Sequence, residues 1–292
     1  MTLGPPHALL TLLHAGASIR WTSFTVHWST VAGLVALAGL YEWRARKGGL
    51  GDGGDPRSIS HFRRSCFHAG IAVIFLSLNG WLHDLSDYYL FSAHMVQHLL
   101  LTMLVPPLLI AGTPGWMLRP LASHPVIGRV ARVITRPKVC FATFNLVLAG
   151  WHLPPLYNAA MAHHGIHIVQ HLMFMAASVM LWWPILSPMP ELPRLSYPMQ
   201  MLYLFLTSIP MSVVAVYITY GGTLLYPAYA GAPRIAGVTP LEDQLLGGLI
   251  MWIPGGLVLF AVISVIFFRW QSHGAEDSAA SAQVDWRPAT RA

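Results

Sequence analysis

The run His94-Met95-Val96-Gln97-His98 recurs nearly unchanged as His167-Ile168-Val169-Gln170-His171, 73 residues further on. Residues four apart share one face of a helix, so each run can turn both imidazoles toward a single ion. His163, His167 and His171 form a stripe with the same step. Fifteen histidines in 292 residues would give on the order of one such pair by chance, and three are present. Neutral imidazole suits copper, zinc, iron and nickel, and thioether sulfur shifts the preference toward Cu(I). Met95, Met161, Met173 and Met175 stand near the two runs, although methionine also serves as a core filler. Gln97 and Gln170 occupy the same place in each run and are candidates to orient a ligand ring or to bond across helices.

Further candidates lie outside the runs. His83, with Asp84 and Asp87 beside it, and His152 are expected as accessory ligands or as groups on an access route. Taken singly, His27, His83 and His152 are better read as hydrogen-bonded histidines of a packed interior. Thr239-Pro240-Leu241-Glu242 reads as a capping box with proline at the first helical position, which assigns Glu242 to a helix start. Asp243 is then the acid left for a metal.

The elements that must carry these residues are membrane helices. Hydrophobic side chains make up 55% of the chain and charged ones 10%, and the mean hydropathy is +0.54. Charge-free runs of about 20 residues recur, each able to cross roughly 30 Å of hydrocarbon as a helix. The expected fold is an all-α integral membrane protein with about seven spans, at 24–43, 66–83, 89–111, 138–153, 164–186, 198–220 and 244–268. Pro106-Pro107, Pro210 and Pro254 fall inside spans and should each kink the helix and free a carbonyl. Residues 1–23 read as an outer or interfacial segment, 24–268 as the transmembrane domain and 269–292 as a disordered cytoplasmic tail. The Gly-rich stretch 47–58 reads as a loop, and Ser123 to Lys138 as either a surface helix or a basic loop.

Every Lys and Arg except Arg20 and Arg234 falls on one side of this arrangement, giving an N-out, C-in orientation. The net charge of +6 therefore reflects membrane topology and does not imply nucleic acid. Cys66 and Cys140 both fall at inner ends of spans, where a disulfide is not expected. On the same topology His27, His83, His94, His98, His152, His163, His164, His167, His171 and Asp243 all converge near the outer surface. A metal site is the direct reading. One haem held between the two runs is an alternative, but not two, because a four-residue step rises only about 6 Å.

Three stretches, Ala93 to Pro114, Trp151 to Phe174 and Glu242 to Gly256, resemble the CtaG-type cytochrome c oxidase assembly family. The resemblance covers roughly residues 25–268, and the first histidine run with its Pro-Pro is the most specific part. It differs from the single-anchor assembly factors with a Cys-x-Cys copper domain, since this chain has neither feature. The resemblance implies a copper-handling assembly factor of the bacterial inner membrane, with a periplasmic copper donor and a haem-copper oxidase subunit as partners. Carried over, it places metal-site positions at His94, His98, His167 and His171, with His152 just before the second run and Asp243 at the acidic position. The expected cargo is copper, as Cu(I), with haem or another transition metal as the alternative and affinity falling as imidazoles protonate. Competing classes are a metal- or haem-dependent membrane oxidoreductase using the same histidines, and a metal-free scaffold for oxidase subunits.

Overall fold

A computed structural model of the protein describes residues 24–48, 59–235 and 237–285, with side chains as far as Ser272. The expected interfacial segment 1–23 and most of the Gly-rich loop lie outside the described residues. Among the described residues all regular structure is helical and no strand occurs. In chain order the helices are α1 Trp28–Lys47, α2 His61–Leu78, α3 Trp81–Tyr88, α4 Phe91–Leu99 and α5 Val105–Gly112, the last two joined by a π-turn at Leu100–Leu104. They continue with α6 Gly115–Ser123, α7 Pro125–Ile134, α8 Pro137–His152, α9 Pro154–Ala162, α10 His164–Leu186, α11 Tyr197–Thr219 and α12 Pro240–Asp285.

Four stretches are long and apolar enough to cross a bilayer: Phe91–Gly112, His164–Leu186, Tyr197–Thr219 and Pro240–Ser272. The number rises to six if two bent pairs, α2 with α3 and α8 with α9, each count as one span. The protein is thus a helical membrane protein. α1 is not among these stretches, because Glu42, Arg44, Arg46 and Lys47 cut short its apolar run.

The expected second span is broken and the expected fourth ends in a sharp bend, and each has a local cause. α2 and α3 bend by 44° at Asn79-Gly80. Gly80 adopts φ +69°, which disfavours any residue with a Cβ. Asn79 leaves the helix extended, and its Oδ1 accepts the His27 N–H at 2.7 Å, docking the segment before α1 at the bend. α8 and α9 bend by 71°. There Leu153 is extended, as the residue before a proline prefers, and Pro154 then starts α9.

Pro106 is accommodated by a neighbouring helix. Pro106 has no N–H for the carbonyl of Thr102, four residues earlier. The indole of Trp182 on α10 donates to that carbonyl at 2.9 Å, and the backbone just before it widens into the π-turn. Within Ser123 to Lys138 the helix forms as α7, with Val126, Val130 and Val133 exposed. α12 does not stop at Arg269 but continues to Asp285.

The two ends of the bundle differ in chemistry. The C-terminal end of α1, the start of α2 and the end of α5 meet through Arg64–Glu42 at 3.2 Å, Tyr41 Oη to the Gly112 carbonyl at 3.0 Å and Arg63 to the Ala111 carbonyl at 3.3 Å. Arg119 pairs with Glu191 at 2.8 Å between α6 and the turn after α10. The opposite end holds α3 and the starts of α4, α10 and α12, where the histidines gather.

Trp182→Phe removes the donor to the Thr102 carbonyl and leaves that acceptor unpaired beside the π-turn. The substitution is expected to destabilise the fold by about 1–3 kcal/mol. Trp183→Phe, whose indole reaches the Leu192 carbonyl at 3.3 Å in a half-buried turn, should cost less. Unfolding midpoints in mixed micelles compare the two, and equal midpoints would remove the capping role.

Candidate metal centre

α4 and α10 bring the two histidine runs face to face. Along each helix the rings are 4.2 Å apart for His94 and His98 and 4.4 Å apart for His167 and His171, centroid to centroid. Across the gap His94 lies 5.4 Å from His167, nearly parallel, and His98 lies 5.5 Å from His171. His94 and His171 are 5.9 Å apart. All four are buried, His94 completely. Ring nitrogens of His94, His98 and His171 lie within 4.8 Å of one another, as do donor atoms of Asp87, His94 and His167. Two overlapping three-ligand groups thus share His94.

The hydrogen bonding of these rings separates them from an ordinary packed histidine. Neither ring nitrogen of His94 or His98 has a hydrogen-bond partner, and Nε2 of His167 and of His171 are likewise unpartnered. A buried polar atom left without a partner costs about 1–3 kcal/mol. Unpartnered nitrogens on several neighbouring rings, with one donor atom each from His94, His98 and His171 close together, fit an ion bound by imidazole. Gln170, in the second run, is fully buried with both amide atoms unpartnered.

The groups around the rings are held more conventionally. Gln97 donates to the Ser77 carbonyl at 2.7 Å and lies 3.3 Å from His83 Nδ1, tying α4 to α2 and α3. His152 is anchored through Nδ1 to the Leu148 carbonyl at 2.7 Å, and its free Nε2 belongs to a ring 6.0 Å from His98. Between those two rings is a cavity of about 20 Å³, lined by His98, His152, Met95, Met103, Met211 and Met251 among others. Of the methionines singled out in the sequence, Met95 lines this cavity. Met161 Sδ lies 3.8 Å from Tyr229 Oη, Met173 is exposed and Met175 packs against a separate apolar cluster. Met211 and Met251 are too far from the histidine runs in sequence for spacing to have marked them, whereas Met103 follows His98 by five residues.

Asp243 is placed at the start of α4 and not among the imidazoles. Its carboxylate accepts the Phe91 N–H at 2.6 Å, the Ser92 N–H at 3.2 Å and the Ser92 hydroxyl at 2.5 Å. A residue of α12 thereby caps α4 and faces the positive end of its dipole. The neighbouring Thr239/Glu242 capping box forms as expected, with Glu242 Oε2 accepting the Thr239 N–H at 2.8 Å. Gly247 allows α12 to approach this closely, since a Cβ there would lie 2.3 Å from the Phe91 ring.

A tyrosine layer closes the histidine end of the bundle. Tyr229 donates to the Ser86 carbonyl at 2.7 Å and meets Tyr157 Oη at 2.9 Å, while Tyr226 donates to the His152 carbonyl at 2.8 Å. Burial pushes the Tyr229 phenol well above its usual range, so it remains a neutral donor. Sequence reasoning gave no role to Asp87, Tyr157 or Tyr229. The His83-to-Asp87 step of four residues was the signal available for Asp87.

Residues 35–273 match the cytochrome c oxidase caa3 assembly factor (Caa3_CtaG) family. The chain belongs to that family. It is also similar to an uncharacterized protein of Mycobacterium bovis, at 26% identity over 203 residues, covering 62% of this chain. An uncharacterized protein of Mycobacterium tuberculosis matches equally, at 26% identity over 203 residues. The chain spans about 30% of the length of these curated relatives. No solved structure matches this Caa3_CtaG chain.

Asp243→Ala leaves two N–H groups and a hydroxyl without their acceptor, an expected loss of about 3 kcal/mol. Asp243→Asn keeps one acceptor oxygen and should recover part of that stability. Thermal unfolding in detergent reads both variants. If Asn is as stable as wild type yet loses bound metal, Asp243 acts as a ligand instead of a cap.

Proposed function

We propose that this family member is a copper-handling assembly factor for a haem-copper oxidase. It takes up Cu(I) from a periplasmic donor at the His94, His98, His167 and His171 cluster and passes it to an oxidase subunit as that subunit matures. The observation that carries this reading is the set of buried, unpartnered ring nitrogens of His94, His98 and His171 within 4.8 Å of one another. Carriage requires no catalytic step. It requires ligands that bind tightly enough to exclude free copper and still exchange it with a partner. Neutral imidazoles lack the charge of thiolates, and the methionine-lined cavity beside His98 and His152 adds soft sulfur on the inner side. The same cavity, at about 20 Å³, favours a bare ion over a macrocycle.

The proposed setting is the bacterial inner membrane, with α1 added to the six spans and the chain oriented N-out, C-in. Arg44, Arg46, Lys47, Arg63, Arg64 and Arg119 gather at the end opposite the histidines, and the positive-inside rule puts that end in the cytoplasm. The cluster then opens toward the periplasm. Exposed Val126, Val130 and Val133 let α7 lie in the inner headgroup region.

Purified protein, loaded with Cu(I) in detergent and washed, should retain near-stoichiometric copper by mass spectrometry. His94→Ala and His98→Ala are expected to lose nearly all of it, and His167→Ala to lose part, because His94 belongs to both ligand groups. Wild type without copper, or copper unchanged in the variants, would overturn the reading. A haem absorbance spectrum would favour the oxidoreductase class, and variants that still support oxidase assembly would favour the scaffold.

A further inference from the structure

The second ligand group differs from the first in one respect: it contains a carboxylate. Asp87 Oδ2 lies 3.5 Å from His83 Nε2 and 3.6 Å from His167 Nδ1. Its Oδ1 accepts from the Ser86 hydroxyl at 3.0 Å. The side chain is only 11% exposed, and among the described residues its ionic partners are these two imidazoles, with no Lys or Arg. A carboxyl buried this deeply either takes up a proton or is stabilised as an anion by a cation beside it. The donor atoms of Asp87, His94 and His167 within 4.8 Å offer such a place.

The position of this group also matters. Asp87 is on α3, at the outer rim, and His94 and His167 each come one turn before their deeper partners His98 and His171. His27 packs edge-on against His83 at 4.4 Å and lies 6.4 Å from the exposed His164, so imidazoles extend from the surface to this group. Both nitrogens of His94 are unpartnered, so its single lone pair is available to either group, one at a time.

From this geometry we infer that Asp87, His94 and His167 form a separate outer ion position, selective for a divalent transition cation. It stands between the surface and the deeper all-imidazole position. One carboxylate with two imidazoles is a harder, anionic donor set that favours ions of the Zn(II) or Cu(II) type, whereas the three deeper imidazoles carry no charge. The inference rests on reading this cluster as an ion site, but not on the deeper ion being copper.

The test uses Zn(II) as a redox-silent probe on the full chain in detergent. In a His98→Ala/His171→Ala background, which removes the deeper position, about one zinc per chain should remain after washing. Adding Asp87→Asn should weaken that binding at least tenfold by competition with a chromophoric chelator. Adding Asp84→Asn instead, a neighbouring carboxylate bonded to the Thr25 hydroxyl at 2.9 Å, should leave it unchanged. X-ray absorption of the bound zinc should show two imidazoles together with oxygen. Zinc lost in the starting double variant, retained after Asp87→Asn, or lost equally with Asp84→Asn would overturn the proposal.

Asp87→Asn alone provides a second measurement. It should keep Cu(I) at the wild-type level, and loss of both ions would mean one undivided site and would overturn the separation. Wild type without Cu(I) would sink the copper reading, and the zinc experiment would still decide this one.

Discussion

One carboxylate joins the starts of two helices, and the placement of the histidines follows from it. Asp243 projects from the first turn of α12 and accepts the first two amides of α4, residues 152 and 151 positions away in sequence. A helix start in a water-poor environment has amide groups that solvent cannot satisfy, so an acceptor from a neighbouring helix is structurally decisive. With that end fixed, His94 and His98 are set at a defined height and rotation. Phe91, at the same turn, stacks on Tyr226 at 4.6 Å and so joins the tyrosine layer to the capped end. The small Gly247 removes the side chain that would have held α12 away from Phe91.

The structure satisfies several of the backbone polar groups that bends and prolines free. The carbonyl freed by Pro106 is capped by Trp182, Asn79 bridges the bend before α3, and Gln244 accepts the Leu225 N–H at 2.7 Å to hold the loop that follows α11. Against that background the unpartnered nitrogens of His94 and His98 stand out. Four ring nitrogens within one helix turn lack partners, as do other buried polar atoms such as Tyr203 Oη and Thr219 Oγ1, and the ion proposed for this cluster would account for the histidines.

Donor chemistry changes along the depth of the bundle. Carboxylate and imidazole lie at the outer rim around Asp87, imidazole alone follows at His98 and His171, and methionine joins imidazole around the cavity beyond His98. Hardness falls in that order. Under the proposed function, such a gradient would receive the ion at the histidine end of the bundle and retain it inside.

The sequence by itself determined what depends on short-range periodicity and composition. Helices long enough for a bilayer follow from charge-free runs, the two histidine stripes from a four-residue step, and the Thr239/Glu242 cap from a spacing of three. The bends at Gly80 and at Leu153-Pro154 were also written locally, in a glycine and in the residue before a proline, although hydropathy alone read through the first. Only the tertiary structure decided what depends on the approach of distant segments. It set the α4 run against the α10 run, turned Asp243 to a helix start, brought Asp87 to His94 and His167, and gathered Met103, Met211 and Met251 beside His98. The physical reason is that a four-residue step fixes only which face of its own helix a side chain occupies. Which faces meet is decided by caps, bends and small residues contributed by other helices.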